Sequence, residues 1–254
     1  MKRRSRSRKL TLLITAVLLV ASAAFIYGAY ELLHQHELYE QGDAVYKKMA
    51  ETVRRSSAGT QRDYTTRNIP DINIDISALA DDNVAGWLYS PGTVIDYPVM
   101  EATDYSYYLH RLPDGTENVN GSLFIDYNCA QDFSDRLSVI YGHHMKSGKM
   151  FGSLVGYKKQ DYYDEHPYMY LYARDKNYRV ELLCGCVIGA GEWRKNGYMY
   201  QQNADSLLDY AKKNTTFHSA VAQNEGDSYV AMSTCTYEFD DARYVAIGLL
   251  KPLS

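Results

Sequence analysis

Residues 229–250 read YVAMSTCTYEFDDARYVAIGLL. Two apolar runs, Tyr229 to Thr234 and Tyr244 to Leu250, flank a polar stretch from Thr236 to Arg243. Both runs are rich in the β-branched and aromatic residues that suit strands. Cys235 sits where the first run ends, and Arg243 where the second begins. A thiol at a strand end near a permanent cation is placed for chemistry rather than for filling a core. An ordinary thiol, with a pKa of about 8.5, is mostly protonated at neutral pH and needs a cation or base beside it to act as a nucleophile. Composition alone would favour a structural cysteine.

Outward from this stretch, short strand-like runs alternate with turn signals. The run at 84–89 ends at Ser90-Pro91-Gly92 and resumes at 94–100, which reads as a hairpin. Further strands are expected at 122–126, 137–141, 168–173, 178–188, 229–233 and 244–250. About eight strands predict a mainly β domain, a closed barrel or a sandwich. With 25 Tyr against 6 Phe and 2 Trp, the composition also favours half-buried strands with a wet edge. One segment departs from the pattern: Ala204, Leu207, Leu208 and Ala211 follow helical spacing, with Asn203 placed to cap them. This helix lies in a long connection between strands, and such connections are usually functional or carry their own structure.

The N-terminus reads differently. Lys2, Arg3, Arg4, Arg6, Arg8 and Lys9 are followed by an uncharged apolar run at residues 10–30. At about 1.5 Å per helical residue, this run can cross a hydrocarbon core of about 30 Å. The positive flank keeps residues 1–9 in the cytoplasm and exports the rest, predicting a single-pass membrane protein with an extracytoplasmic domain. A cleaved signal peptide is the competing reading, because Ala21-Ser22-Ala23 has the form of a cleavage site. The apolar run continues past it through Phe25, Ile26 and Tyr27, which favours the anchor. Residues 31–69 are expected to form a helical stalk or an N-terminal helix packed on the domain, broken at Ser56-Ser57-Ala58-Gly59-Thr60. Residues 70–254 form the main domain, entered at Pro70. The net charge of −4 includes that basic flank, so the main domain is acidic, which argues against nucleic acid as a partner.

Export raises the question of disulfides. Cys184 and Cys186, two apart in a strand, share a face and do not suit a bond to each other; among Leu182, Leu183, Val187 and Ile188 they read as core hydrophobes. Cys129, in Asp126-Tyr127-Asn128-Cys129, is free or paired. No spacing of Cys and His suggests a metal site. Of the seven histidines, His143 and His144 stand out in Ile140-Tyr141-Gly142-His143-His144, where the glycine is expected to permit a turn that exposes the imidazole.

Together these motifs resemble the sortase family. Met232-Ser233-Thr234-Cys235 followed by Arg243-Tyr244-Val245 is similar to its nucleophile-and-arginine signature, and Gly142-His143 to its histidine motif. The resemblance spans roughly residues 70–252. Gly86-Trp87-Leu88, Ile95-Asp96-Tyr97-Pro98-Val99, Gly121-Ser122-Leu123-Phe124, Tyr141-Gly142-His143-His144-Met145-Lys146 and Ser233-Thr234-Cys235-Thr236-Tyr237-Glu238-Phe239 point to class B. The resemblance implies an eight-stranded β-barrel with peripheral helices, an N-terminal helix and a transmembrane anchor. It also implies a thiol transpeptidase of the Gram-positive cell wall that needs no cofactor or metal. Such an enzyme cleaves a sorting signal after threonine and passes the protein to an amine of a peptidoglycan precursor or a pilin.

The resemblance assigns Cys235 as nucleophile, His143 as proton partner and Arg243 as oxyanion stabiliser. Leu109, Tyr141, Ser233 and Thr234 are implied to line the substrate groove; core packing is the alternative for Leu109 and Tyr141. Tyr105 stands where the family often has Asn, a departure that bears on motif preference. His144 is the rival of His143, and strand alternation would send it to the opposite side. The loop acids Glu238, Asp240 and Asp241 read as solvated, with orientation of the imidazole or of Arg243 as the alternative. Two other functions remain open: an exported cysteine endopeptidase and a non-catalytic membrane-tethered binding module.

Overall fold

The computed structural model describes the backbone of residues 2–57, 74–79 and 83–253, and the side chains of 12–54, 74–79 and 83–253. Two compact units are present, Met1–Gln41 and Gly42–Ser254. The first is helical and belongs to α1 (Lys2–Ser57). Its Leu12, Leu13, Val17, Leu18, Leu19, Val20, Phe25 and Ile26 are all exposed, so no polar face shields them. A helix apolar all round suits lipid rather than water. One stretch, Leu12–Arg54, is long and apolar enough to be a candidate membrane span. Helix α1 continues to Ser57, so the expected break does not begin at Ser56. Residues 58–60 and Pro70 lie outside the described residues.

The second unit is a closed barrel of eight strands: β1 (Val84–Tyr89), β2 (Asp96–Glu101), β3 (Leu123–Ile125), β4 (Leu137–Tyr141), β5 (Tyr168–Ala173), β6 (Asn177–Gly189), β7 (Tyr229–Cys235) and β8 (Ala242–Pro252). Their order around the barrel is β1-β2-β3-β4-β7-β8-β6-β5. The β1–β2 hairpin forms as expected. Strands β2 and β3 pair in parallel, as do β4 and β7, while the other neighbours are antiparallel. The parallel β4–β7 pair is decisive for the site, because it joins two segments far apart in sequence at the same end. Parallel neighbours need a long crossover. Here it carries α2 (Gln160–Glu165), β5, β6, α3 (Ala190–Lys195) and α4 (Ala204–Lys213).

Helix α4 buries Ala204, Leu207, Leu208 and Ala211, the face its spacing predicted. Asn203 is not its side-chain cap: its amide donates to the Gly197 carbonyl at 3.0 Å and ties the helix to the preceding turn. Cys184 and Cys186 are buried in β6, either side of Gly185, as small core residues. Cys129 is buried and free.

The start of the second unit is the C-terminal part of α1. Tyr46, Ala50 and Val53 are buried, and Ala50 and Val53 pack with Trp87, Tyr170 and Tyr172. Burying side chains of this size contributes about 1–3 kcal/mol each. Arg54 pairs with Asp96 at 2.5 Å, and Asp96 also accepts from the Trp87 indole at 2.9 Å.

Candidate active site

Cys235 ends β7 and lies directly opposite Arg243, the second residue of β8. On its other side, β4 runs parallel to β7 with Tyr141 level with Ser233. The next residues remain in contact: Gly142 N–H donates to the Ser233 carbonyl at 3.2 Å, and Thr234 Oγ1 donates to the Gly142 carbonyl at 2.9 Å. His143 follows at once. The register thus brings His143, Cys235 and Arg243 to the same end of three adjacent strands, with cysteine on the middle strand.

Gly142 serves this end by close approach rather than by an unusual turn. Its φ is not positive, but a Cβ there would lie 2.7 Å from Phe151 Cδ2 and would also press on Leu123. The glycine allows the chain to pass over both side chains, which corrects the expected turn role.

His143 is half-buried, and its Nε2 lies 2.5 Å from the Leu109 carbonyl. A carbonyl only accepts, so Nε2 carries the proton and Nδ1 is the basic nitrogen of the neutral ring. Burial lowers the His143 pKa below its ordinary value; the Leu109 carbonyl works against this, and nearby His110, with ring centroids 6.1 Å apart, adds to it. The neutral imidazole is therefore the resting form in the fold. Its contribution to stability is complete above the ordinary histidine pKa and is lost as the pH falls through the lower pKa of the folded state. Histidine-resolved NMR should place the His143 midpoint below the ordinary value of 6.5. A midpoint above that would contradict this geometry.

His144 also turns toward the site. Its Nδ1 donates to the Cys235 carbonyl at 2.7 Å, and its ring lies 5.0 Å from that of Tyr237. The expected opposite orientation does not hold: β4 ends at Tyr141, so strand alternation no longer governs residue 144. His144 holds the backbone of Cys235 rather than its sulfur.

Loop 236–241 closes the other side. Thr236 N–H donates to the Ala242 carbonyl at 2.9 Å, and Asp241 turns the chain with φ +60. Lys158 reaches it from the 3-10 segment Phe151–Lys158, donating to Thr236 Oγ1 at 2.5 Å and pairing with Glu238. Glu238, expected as a solvated acid, is an anchor. The Lys158 ammonium draws its pKa down despite partial burial. Nothing in the sequence signalled Lys158, since its neighbourhood arises only from the fold. Cys235, Arg243, Glu238, Asp240 and Asp241 line a cavity of about 540 Å³. Among the described residues, Arg243 forms no ion pair, so its charge is open to the cavity.

The residues implied for the groove are more buried. Tyr141 donates to Asp126 Oδ2 at 2.9 Å, and the same oxygen accepts from Tyr105 at 3.1 Å. Asp126 is fully buried, and Asn128 N–H bonds its other oxygen at 2.9 Å. Burial, then the Asp126 charge, holds Tyr141 protonated. Ser233 and Thr234 are buried; Leu109 is half-buried and presents its carbonyl to His143.

Of the four cysteines, only Cys235 is exposed. Burial pushes Cys129, Cys184 and Cys186 up to about 12. Brief iodoacetamide treatment of the native protein should therefore label Cys235 alone, as read by peptide mapping. Label on Cys184 or Cys186 at a comparable rate would contradict the packing.

No family model matches the chain. It is 29% identical over 251 residues to the sortase B of Listeria monocytogenes serovar 1/2a, covering 96% of both chains. A solved sortase B from Listeria monocytogenes is 30% identical, covering 66% of this chain and 94% of that one, with a TM-score of 0.58. The Staphylococcus aureus sortase B–substrate complex shares the fold at 21% identity and a TM-score of 0.71, covering 85% of this chain and 98% of that one. With this barrel, and relatives matched over nearly their full length, the chain belongs to the class B sortase family.

Proposed function

We propose that the chain is a membrane-anchored cysteine transpeptidase that joins sorting-signal-bearing proteins to an amine, with Cys235, His143 and Arg243 as its catalytic residues. The observation that carries this reading is the register across β4, β7 and β8. It sets one exposed thiol between a histidine and an arginine that forms no ion pair among the described residues.

In the proposed reaction, neutral His143 takes the Cys235 thiol proton at Nδ1, and the resulting thiolate attacks the carbonyl carbon of the signal's threonine. The Arg243 guanidinium, a permanent cation with fixed donor geometry, stabilises the oxyanion. His143 passes its Nδ1 proton to the departing amide nitrogen as the C–N bond breaks, leaving a thioester. The incoming amine then attacks the thioester and gives a proton to His143, and the C–S bond breaks to restore the thiolate. Leu109, Tyr141, Ser233 and Thr234 are proposed to shape the groove that holds the signal. The acceptor is a peptidoglycan precursor or a pilin amine. A structural relative is a sortase B complexed with triglycine, in keeping with an amine acceptor here.

The basic residues before the span orient the N-terminus to the cytoplasm and the barrel to the outer side. Incubation with a panel of threonine-containing sorting peptides and an amine tests the reaction. Ligated product supports it. Hydrolysis regardless of the amine supports an endopeptidase, and neither product supports a binding module.

A further inference from the structure

The part of α1 that opens the second unit touches both chain segments around His143. Tyr46 donates its hydroxyl to the Gly121 carbonyl and lies 3.4 Å from Ser122 Oγ. Gly42 lies so close to the same turn that a Cβ there would press on the side chain of Asn120. Asp43 pairs with Lys149, in the loop that follows His143 and His144. These three α1 residues occupy little more than one helical turn, and Tyr46 is not a member of the core cluster around Trp87.

Gly121 is the link to the imidazole. It has φ +57, and a Cβ on it would lie 2.5 Å from the Leu109 carbonyl oxygen and 2.9 Å from His143 Cδ2. The Gly121 peptide therefore packs against both the imidazole and the carbonyl that orients it. The turn is closed by Gly121 N–H to the Asn118 carbonyl at 3.2 Å, and Ser122 N–H ties it to the Tyr108 carbonyl of an earlier segment at 2.7 Å. Tyr46 supplies a further bond from outside the turn, to the Gly121 carbonyl itself. It is buried against Tyr97, their rings edge to face at 5.2 Å, and burial keeps its hydroxyl protonated as a donor.

We propose that residues 42–46 of α1 form the rear wall of the His143 site and that Tyr46 is a positioning residue for His143, an assignment that rests on the transpeptidase reading. The segment that tethers the barrel is, on this view, also part of its proton-transfer apparatus. Tyr46 acts through Gly121, which fixes the Leu109 carbonyl and hence the direction of Nδ1.

The test compares Tyr46→Phe with Val53→Ala in the full chain held in nanodiscs. Val53 is fully buried in the same helix but packs in the separate cluster with Trp87 and Tyr170. Tyr46→Phe removes one hydrogen bond and should lower kcat roughly three- to tenfold, with KM for the sorting peptide nearly unchanged. Its His143 NMR midpoint should rise toward the ordinary histidine value as the wall loosens. Val53→Ala should lower the melting temperature while leaving the His143 midpoint where it is. The proposal is overturned if Tyr46→Phe leaves the midpoint unmoved, or if Val53→Ala moves it equally. Should the unmodified chain ligate nothing, the transpeptidase reading fails, yet the His143 titration still decides the positioning claim.

Discussion

Cys235→Ala should abolish peptide ligation, lowering the rate by at least about 10⁴-fold, with the folded state intact. The expectation is this large because no second group can replace the sulfur. Among the described residues, the other three cysteines are buried, and burial holds their thiols protonated. The structural consequence should be small. Cys235 is exposed at the end of β7, so losing its sulfur opens no core cavity. Ligation kinetics with a matched melting curve checks both parts. Retained activity would remove the thiol from the mechanism.

Arg243→Lys should lower kcat by about 10²–10³-fold while KM changes little. Lysine keeps the charge but loses the planar pair of donors, so charge alone will not restore the rate. The side chain starts from a half-exposed position on β8 opposite Cys235, and it faces the cavity rather than the core. A change confined to KM would instead assign Arg243 to uniform binding of the signal. Steady-state kinetics over a range of peptide concentrations separates the two.

The barrel was legible because its strands are short, aromatic and separated by turn residues, and eight expected runs correspond to eight strands. Boundaries moved by a residue or two where neighbours extend the pairing; β8 runs from Ala242 to Pro252 against both β6 and β7. The proximity of Cys235 and Arg243 could be read locally, because both flank one connection. The approach of His143 could not, since it depends on the parallel β4–β7 pair, and there only the resemblance to known sequences pointed the way. The residues that hold the site had no local signature at all. Lys158, the Leu109 carbonyl and Tyr46 each act from a distant segment, and two of those three contacts involve a backbone oxygen that carries no residue identity. Gly142 shows the converse: its presence was noticed, but its reason is the space needed above Leu123 and Phe151.

The most direct measurement is the intact mass of the full chain after mixing with a threonine-containing sorting peptide, first without and then with triglycine. The account predicts an adduct on Cys235 equal to the peptide segment ending at threonine, discharged by triglycine as a ligated product. Ligation or cleavage at an undiminished rate by Cys235→Ala, with no adduct on the unmodified protein, would contradict it.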